Sequence, residues 1–92
     1  MNAKLHYAIN VSGKVQGVGF RWNAATEARK LSISGFVKNL SNGNVYIEAE
    51  GLPSQLEAFV RWCKKGPAFG LVYSVDVEVL PPAGYTEFTI QH

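Results

Sequence analysis

Residues 14–21, which read KVQGVGFR, combine the residue types that bind anions in proteins. The two glycines of this segment can turn backbone N–H groups inward without a clash from a Cβ atom. A helix that begins near Phe20 adds unpaired N–H groups and the positive end of the helix dipole. Arg21 places a guanidinium beside them. Inward amides, a helix N-terminus and an arginine together predict an anion site, and phosphate is the anion that fits it most naturally.

The spacing of this loop differs from that of the common nucleotide-binding loops. The chain has no G-x-x-x-x-G-K-[ST] motif, and no strand–G-x-G-x-x-G–helix with an acidic residue about 20 positions later. A glycine turn between a strand and a helix can also be purely structural. Both interpretations therefore stay open until the elements around the loop are considered.

Hydrophobic periodicity predicts the elements that position this loop. Apolar residues alternate in the strands and recur at helical spacing in the helices, and Asn42-Gly43 is a strong hairpin signal. The predicted elements are strands over 5–12, 36–40, 44–50, 74–80 and 87–90, and helices over 20–31 and 53–65. Their order is β-α-β-β-α-β plus a terminal strand. It predicts an α+β, ferredoxin-like sandwich with a mainly antiparallel sheet and both helices on one face.

Length and composition narrow the class of protein. Ninety-two residues predict one domain, over 1–92, and the net charge of +2 is too small for a polyelectrolyte binder. The single cysteine, Cys63, excludes an internal disulfide framework and a cysteine-cluster zinc site, and it falls on the apolar face of the second helix. No apolar run approaches the length of about 18 residues that indicates a membrane span. We therefore expect a cytoplasmic protein.

Titratable side chains outside the loop form no second chemical motif. His6 and His92 lack metal-ligand spacing, and we interpret both as solvated or packing residues. Acidic residues recur with a period of two in the third and fourth predicted strands, which is typical of a solvated strand face. These residues are Glu48, Glu50, Asp76 and Glu78.

Two segments together resemble the acylphosphatase family. The first is KVQGVGFR in residues 14–21, and the second is GFVKNLSNGNV in residues 35–45. Gly51 follows the third predicted strand and Gly66-Pro67 follow the second helix, so the resemblance covers essentially the whole chain. It implies an enzyme that hydrolyses the mixed anhydride of a carboxylic acid and phosphate.

The resemblance also implies roles for particular residues. Backbone amides of the loop and the guanidinium of Arg21 would bind the phosphate, and Asn39 would position the attacking water. The residues that map onto the phosphate-binding loop are Val15, Gln16, Gly17, Val18, Gly19 and Phe20. No metal ion and no organic cofactor are implied.

Three positions depart from the commonest pattern of the family. Phe36 stands where tryptophan is frequent, and Asn44 stands where serine or threonine is usual. Leu40 replaces a common threonine, so it offers no hydroxyl beside Asn39. The loop, Arg21 and Asn39 themselves are unaffected by these departures.

The chemistry of an acyl phosphate suits these residue types. Its leaving group is the carboxylate of an acid with a pKa of around 4, so little general-acid help is needed. Charge in the transition state lies on the equatorial oxygens of the phosphoryl group, where preorganised amides and one arginine can stabilise it. Asn39 can accept a hydrogen bond from water and donate another elsewhere, and the substrate's own phosphate could take the proton.

Two non-catalytic functions share parts of this pattern. RNA-recognition domains have the same element order, but their stacking aromatics lie on central strands, whereas Phe20 follows a loop and Tyr46 is flanked by acidic residues. A domain that senses a small phosphorylated ligand without turnover is the other alternative. The expected partners are an acyl phosphate and the product inorganic phosphate, with no nucleic acid, no membrane and a monomeric state. Acetyl phosphate, carbamoyl phosphate and a sugar-acid acyl phosphate all stay open as substrates.

Overall fold

The extended segments of the chain pair into one sheet, and two helices pack against it. The structure is a computed structural model that describes residues 3–92, so the first two residues of the predicted 1–92 domain lie outside the described residues. The elements are β1 (Leu5–Lys14), α1 (Phe20–Lys30), β2 (Ser34–Asn39), β3 (Val45–Gly51), α2 (Pro53–Lys65), β4 (Leu71–Leu80) and β5 (Phe88–Ile90). Within residues 3–92, neither helix has both the length and the apolar character needed to cross a membrane.

The five strands lie in the order β4-β1-β3-β2-β5. β1 is flanked by two antiparallel neighbours, so Ile9 lies opposite Ile47 of β3 and Val77 of β4. β2 pairs antiparallel with β3 through the predicted hairpin. β5 is the exception, because it lies parallel to β2, with Phe36 opposite Thr89. The sheet is thus mainly antiparallel, and its parallel edge strand carries the C-terminal residues back toward α1.

The core lies between the sheet and the two helices. Apolar residues at alternate positions of the strands meet the apolar stripes of α1 and α2, as the two periodicities predict. The core residues of these elements include Ile9, Val11, Val37, Val45, Ile47 and Ala49 from the strands, and Phe20, Ala24, Ala28, Leu56, Phe59 and Cys63 from the helices. Burial raises the pKa of the Cys63 thiol well above its ordinary value, so this side chain packs as a neutral group.

β1 and β4 are longer than the alternation of apolar residues predicts. Their pairing continues through Gly13 and Lys14 to Leu71, although a bulge between Ser12 and Gly13 shifts the register. The alternation breaks at the bulge, which is why the sequence pattern ends there. Gly13 has a φ of 135°, and a Cβ atom at this position would lie 2.1 Å from the carbonyl oxygen of Leu71. Only glycine therefore allows the two strands to approach so closely.

The sheet face opposite the helices is partly covered by residues 81–85, which we call the strap. The expectation of a solvated face at Glu50 is wrong, because this residue is only 4% exposed. Its carboxylate accepts hydrogen bonds of 2.8–2.9 Å from three successive backbone N–H groups of the strap. The donors are Ala83, Gly84 and Tyr85. By contrast, Asp76 and Glu78 on β4 are exposed, as predicted.

Glu48 lies beside Glu50 on this face and is also satisfied by protein groups. The hydroxyls of Tyr46 and Tyr85 each donate to its carboxylate at 2.8 Å. His6, which is buried, places Nε2 at 2.9 Å from the same carboxylate and Nδ1 at 2.7 Å from the carbonyl oxygen of Pro81. Both ring nitrogens of His6 therefore contact oxygen atoms, one on Pro81 and one on Glu48. Glu48 and Glu50 anchor the strap, which leads directly into β5.

Candidate active site

The loop between β1 and α1 takes its shape from two glycines in the left-handed region. Gly17 has a φ of 75° and Gly19 a φ of 78°, values that residues with a Cβ atom rarely adopt. Gly19 is also the N-cap of α1, and its carbonyl oxygen accepts hydrogen bonds from the backbone N–H (3.0 Å) and side-chain Nδ2 (2.8 Å) of Asn23. No acidic side chain lies in the first turn of the helix. The positive end of the helix dipole is therefore not compensated from within α1.

A cavity of about 280 Å³ opens at this end of α1. It is lined by Val15, Gly17, Gly19, Phe20, Arg21, Trp22, Asn39, Ile90 and His92. The structure thus brings together both residues predicted to be catalytic and most of the predicted loop. Gln16 and Val18 are the two predicted loop residues whose side chains do not line the cavity. Val18 packs against the hydrophobic core instead.

Arg21 is fixed by the segment that follows β5. Its Nη1 donates a 2.8 Å hydrogen bond to the carbonyl oxygen of Gln91, and the same nitrogen lies 3.4 Å from Nδ1 of His92. A guanidinium carries five N–H donors, so most of them stay available to a bound anion. The side chain is half-buried, which preserves more of its electrostatic effect than full exposure would.

Asn39 is the last residue of β2 and lies opposite Val45 in the ladder with β3. It lines the cavity from the sheet, whereas the other predicted site residues belong to the loop and α1. Among residues 3–92, no hydrogen bond from another side chain or from the backbone engages its carboxamide. This group is therefore free to hold a water molecule by accepting one hydrogen bond and donating another.

Gln16 directs its side chain away from the cavity toward the hairpin between β2 and β3. Its Nε2 donates to the carbonyl oxygen of Leu40 at 2.7 Å and to that of Asn44 at 2.8 Å. The side chain of Asn44 donates in turn to Oδ1 of Asn10 on β1, at 2.9 Å. The hairpin beside Asn39 is thus tied to both the loop and β1. These are contacts that the sequence pattern did not predict.

Several cavity residues were missed by sequence reasoning because they come from the far end of the chain. Ile90 and His92 reach the cavity, and Gln91 reaches Arg21, only because β5 lies parallel to β2, and a three-residue strand carries no signal for that pairing. Trp22 of α1 also lines the cavity. It is 65% exposed and lies at the rim of the cavity. His92 is exposed there too, so the cavity contains an imidazole that was not expected.

The electrostatics of the cavity favour an anion. None of its lining residues is an aspartate or a glutamate, and Glu48 and Glu50 face the strap. Arg21 and the N-terminus of α1 both contribute positive potential. Within residues 3–92, no group of three or more His, Cys, Asp or Glu side chains could hold a metal ion.

The fold and the cavity together define an α+β sandwich with a basic cavity at the start of its first helix. The family model of acylphosphatase matches residues 7–90. The acylphosphatase of Anaeromyxobacter dehalogenans is 46% identical over 84 residues, covering 91% of this chain and 90% of that protein. The acylphosphatase of Clostridium beijerinckii is 44% identical over 89 residues, covering 96% and 99%. The crystal structure of the acylphosphatase from Bacillus subtilis superposes with a TM-score of 0.92 at 40% identity and covers 96% and 99%.

The chain belongs to the acylphosphatase family. This finding confirms three predictions made from the sequence, namely the family, the ferredoxin-like fold class and an enzyme of the acylphosphatase type. The match over residues 7–90 identifies the family. The roles of Arg21, Asn39 and the loop residues stay predictions.

Proposed function

We propose that this protein hydrolyses the carboxyl–phosphate anhydride of acyl phosphates to a carboxylate and inorganic phosphate. The observation that carries the proposal is the convergence of Arg21, the glycine loop and Asn39 on one cavity from three different elements. We assign the activity to one domain over 1–92, in line with a family match that spans 7–90. We take its substrate to be a small acyl phosphate, with no nucleic acid as partner and a monomer as the active form.

In this proposal the phosphate is bound by the backbone N–H groups of residues 15–20 and by Arg21. The left-handed conformations of Gly17 and Gly19 turn the chain so that successive N–H groups can converge on one anion. The N-terminus of α1 adds its unpaired amides and its dipole. Because Gln91 already holds the guanidinium in place, little side-chain entropy is lost when the anion binds.

Hydrolysis then requires a water molecule in line with the leaving carboxylate. We assign its positioning to the Asn39 carboxamide, which accepts a hydrogen bond from the water and does not ionise. The water oxygen forms a bond to phosphorus while the bond from phosphorus to the carboxylate oxygen breaks. The proton of the water passes to a phosphate oxygen, and the carboxylate leaves without protonation because it is a weak base whose conjugate acid has a pKa of around 4. Charge on the equatorial oxygens is stabilised by the amides and by Arg21.

Binding of RNA is the weaker alternative on physical grounds. RNA-recognition domains present stacking aromatics on the open face of the sheet. Here that face carries Glu48 and Glu50 and is partly covered by the strap. Two carboxylates would repel a phosphate backbone, and the strap would block stacking on β3.

The test is turnover of an aryl acyl phosphate by the wild-type protein and by two arginine variants. Arg21→Ala removes a charge-assisted contact and should raise the activation free energy by about 1.5–3 kcal/mol, measured from kcat/KM. Arg61→Ala is the matched control, since Arg61 is an exposed residue of α2 that forms a salt bridge with Glu57. We expect the control to retain wild-type activity.

Two results would contradict the proposal. A folded Arg21→Ala protein with near-normal kcat/KM would remove Arg21 from the site. A wild-type protein that binds inorganic phosphate but cleaves no acyl phosphate would identify a sensing domain instead.

A further inference from the structure

The Gln16 side chain joins the two halves of the cavity. Its single Nε2 atom donates to the carbonyl oxygens of Leu40 and Asn44, at 2.7 and 2.8 Å. A primary amide nitrogen has two protons, so both of them are used. The backbone N–H of Leu40 donates to the same Asn44 carbonyl oxygen at 2.8 Å, which places both acceptors at the neck of the hairpin. Gln16 therefore links the loop to the residue that directly follows Asn39.

The loop does not need this link to keep its own shape. Gly17 and Gly19 set its backbone conformation, and Asn23 holds the Gly19 carbonyl oxygen with two hydrogen bonds. The position of Arg21 is fixed separately, by its hydrogen bond to Gln91. The groups proposed to bind phosphate are thus organised by contacts in which the Gln16 side chain takes no part.

The hairpin also has supports of its own. The β2–β3 ladder pairs Asn39 with Val45, and the Asn44 side chain is bonded to Asn10 of β1. What these contacts do not set is the position of the hairpin relative to the loop. Among residues 3–92, the hydrogen bonds between the loop and the hairpin are those of the Gln16 side chain.

We propose that Gln16 is a positioning residue for hydrolysis, which fixes the distance between the phosphate-binding amides and the water-binding Asn39 carboxamide. This inference rests on the function proposed above. Loss of both hydrogen bonds frees the hairpin to move relative to the loop, and a misplacement of 1 Å can cost on the order of 10²-fold in rate. Binding of phosphate alone uses only the loop and Arg21, so it should be insensitive to the change.

The substitution Gln16→Met tests the inference, because methionine has a similar length and cannot donate a hydrogen bond. We expect kcat to fall by on the order of 10- to 100-fold. The affinity for inorganic phosphate, measured by calorimetry, should stay at the wild-type value. Asn10→Ala is the control, since it removes the tie between the hairpin and β1 and leaves the Gln16 bonds in place. It should lower the melting temperature and retain kcat.

A double-mutant cycle separates positioning from general loosening. If Gln16 acts through Asn39, then Gln16→Met should have a much smaller effect on kcat in the Asn39→Ala background than in the wild type. In the wild-type protein, exchange of the Gln16 side-chain amide protons should be slower than that of the exposed Gln91, as measured by NMR.

Each result decides the matter. The inference is overturned if the two substitutions have additive effects on kcat, if phosphate affinity falls in parallel with kcat, or if the Gln16 amide protons exchange as fast as those of Gln91. A wild-type protein without acyl phosphatase activity overturns the proposed function and this inference with it. If the wild-type protein is active and the effects of Gln16→Met and Asn39→Ala on kcat are additive, this inference alone is overturned.

Discussion

At the scale of single residues, Arg21 is the second residue of α1, where the positive end of the helix dipole disfavours a cation. One of its N–H groups donates to the neutral Gln91 carbonyl, which does not offset the charge. An anion in the cavity does offset it, since the anion gains from the guanidinium and the helix N-terminus together. The unfavourable placement of Arg21 in the free protein is thus an argument for a ligand that carries negative charge.

Asn39 is the residue on which the proposed mechanism depends most directly. If its carboxamide orients the water without ionising, Asn39→Ala should reduce kcat by on the order of 10²–10³-fold, or about 2.7–4 kcal/mol, and change KM little. Steady-state kinetics with an aryl acyl phosphate provide both parameters. A wild-type kcat with a raised KM would make Asn39 a substrate-binding residue and would contradict the assignment.

The candidate residues were predictable from sequence to the extent that their motifs are local. The loop of residues 14–21 and the hairpin containing Asn39 each lie within a short segment, so their types and spacing identify them. Gln91 is 70 residues from Arg21, and a backbone carbonyl acceptor leaves no mark on residue type. The same holds for Gln16, whose side chain binds two carbonyl oxygens rather than any particular side chain.

At the scale of elements, the strap converts a predicted solvated face into a covered one. Alternation along β3 places Glu48 and Glu50 on one face of the sheet, but it carries no information on whether another segment covers that face. The strap sequence PPAGY indicates a loop, but it does not indicate which surface of the protein the loop contacts. Both helices and the hairpin followed from periodicity and turn residues, whereas the strap and the parallel pairing of β5 depend on long-range contacts that no local pattern encodes.

Glu50 should be a stabilising residue because its carboxylate holds three backbone N–H groups of the strap. Glu50→Gln retains the shape but places an NH₂ group against one of these donors and removes the charge. We expect a loss of roughly 1.5–3 kcal/mol in the free energy of unfolding, measured by urea denaturation. Glu57→Gln is the control, since Glu57 is 75% exposed in an i,i+4 pair, and it should change stability by no more than about 0.5 kcal/mol. Equal effects of the two substitutions would show that the strap contacts contribute no net stability.

At the scale of the whole molecule, Glu48 and Glu50 determine how stability depends on acid. Burial opposes the ionisation of both, but hydrogen bonds from Tyr46, Tyr85 and His6 to Glu48, and from the strap to Glu50, leave the pKa of each carboxyl below its ordinary value. A carboxyl whose pKa is lower in the folded state stabilises the protein above its unfolded pKa. That stability is lost as the pH falls through the folded pKa.

We therefore expect the free energy of unfolding to be level above about pH 5 and to decrease as the pH falls below the unfolded carboxyl pKa of about 4.3. Urea denaturation at a series of pH values checks this. In Glu50→Gln, the free energy of unfolding should decrease less steeply as the pH falls. The imidazole of His6 and the hydroxyls of Tyr46 and Tyr85 face Glu48, and the two hydroxyls, whose pKa values are raised, stay protonated throughout the acid range. If the free energy of unfolding decreases equally steeply in Glu50→Gln, the acid dependence arises from groups other than Glu50.

Inorganic phosphate should stabilise the folded protein, because the cavity forms only when residues from the two ends of the chain meet. A ligand that binds the folded state alone stabilises it by about 2.7 kcal/mol at a concentration of 100 times its Kd. For a domain of this size, that corresponds to a rise in melting temperature of roughly 10–20 °C.

Chloride at the same ionic strength controls for screening, and Arg61→Ala controls for the loss of a surface charge. The shift should persist in Arg61→Ala and be largely lost in Arg21→Ala. Equal shifts in melting temperature with phosphate and chloride would mean that the cavity does not bind phosphate specifically. Because this measurement involves no turnover, it tests the binding site independently of the chemistry assigned to Asn39.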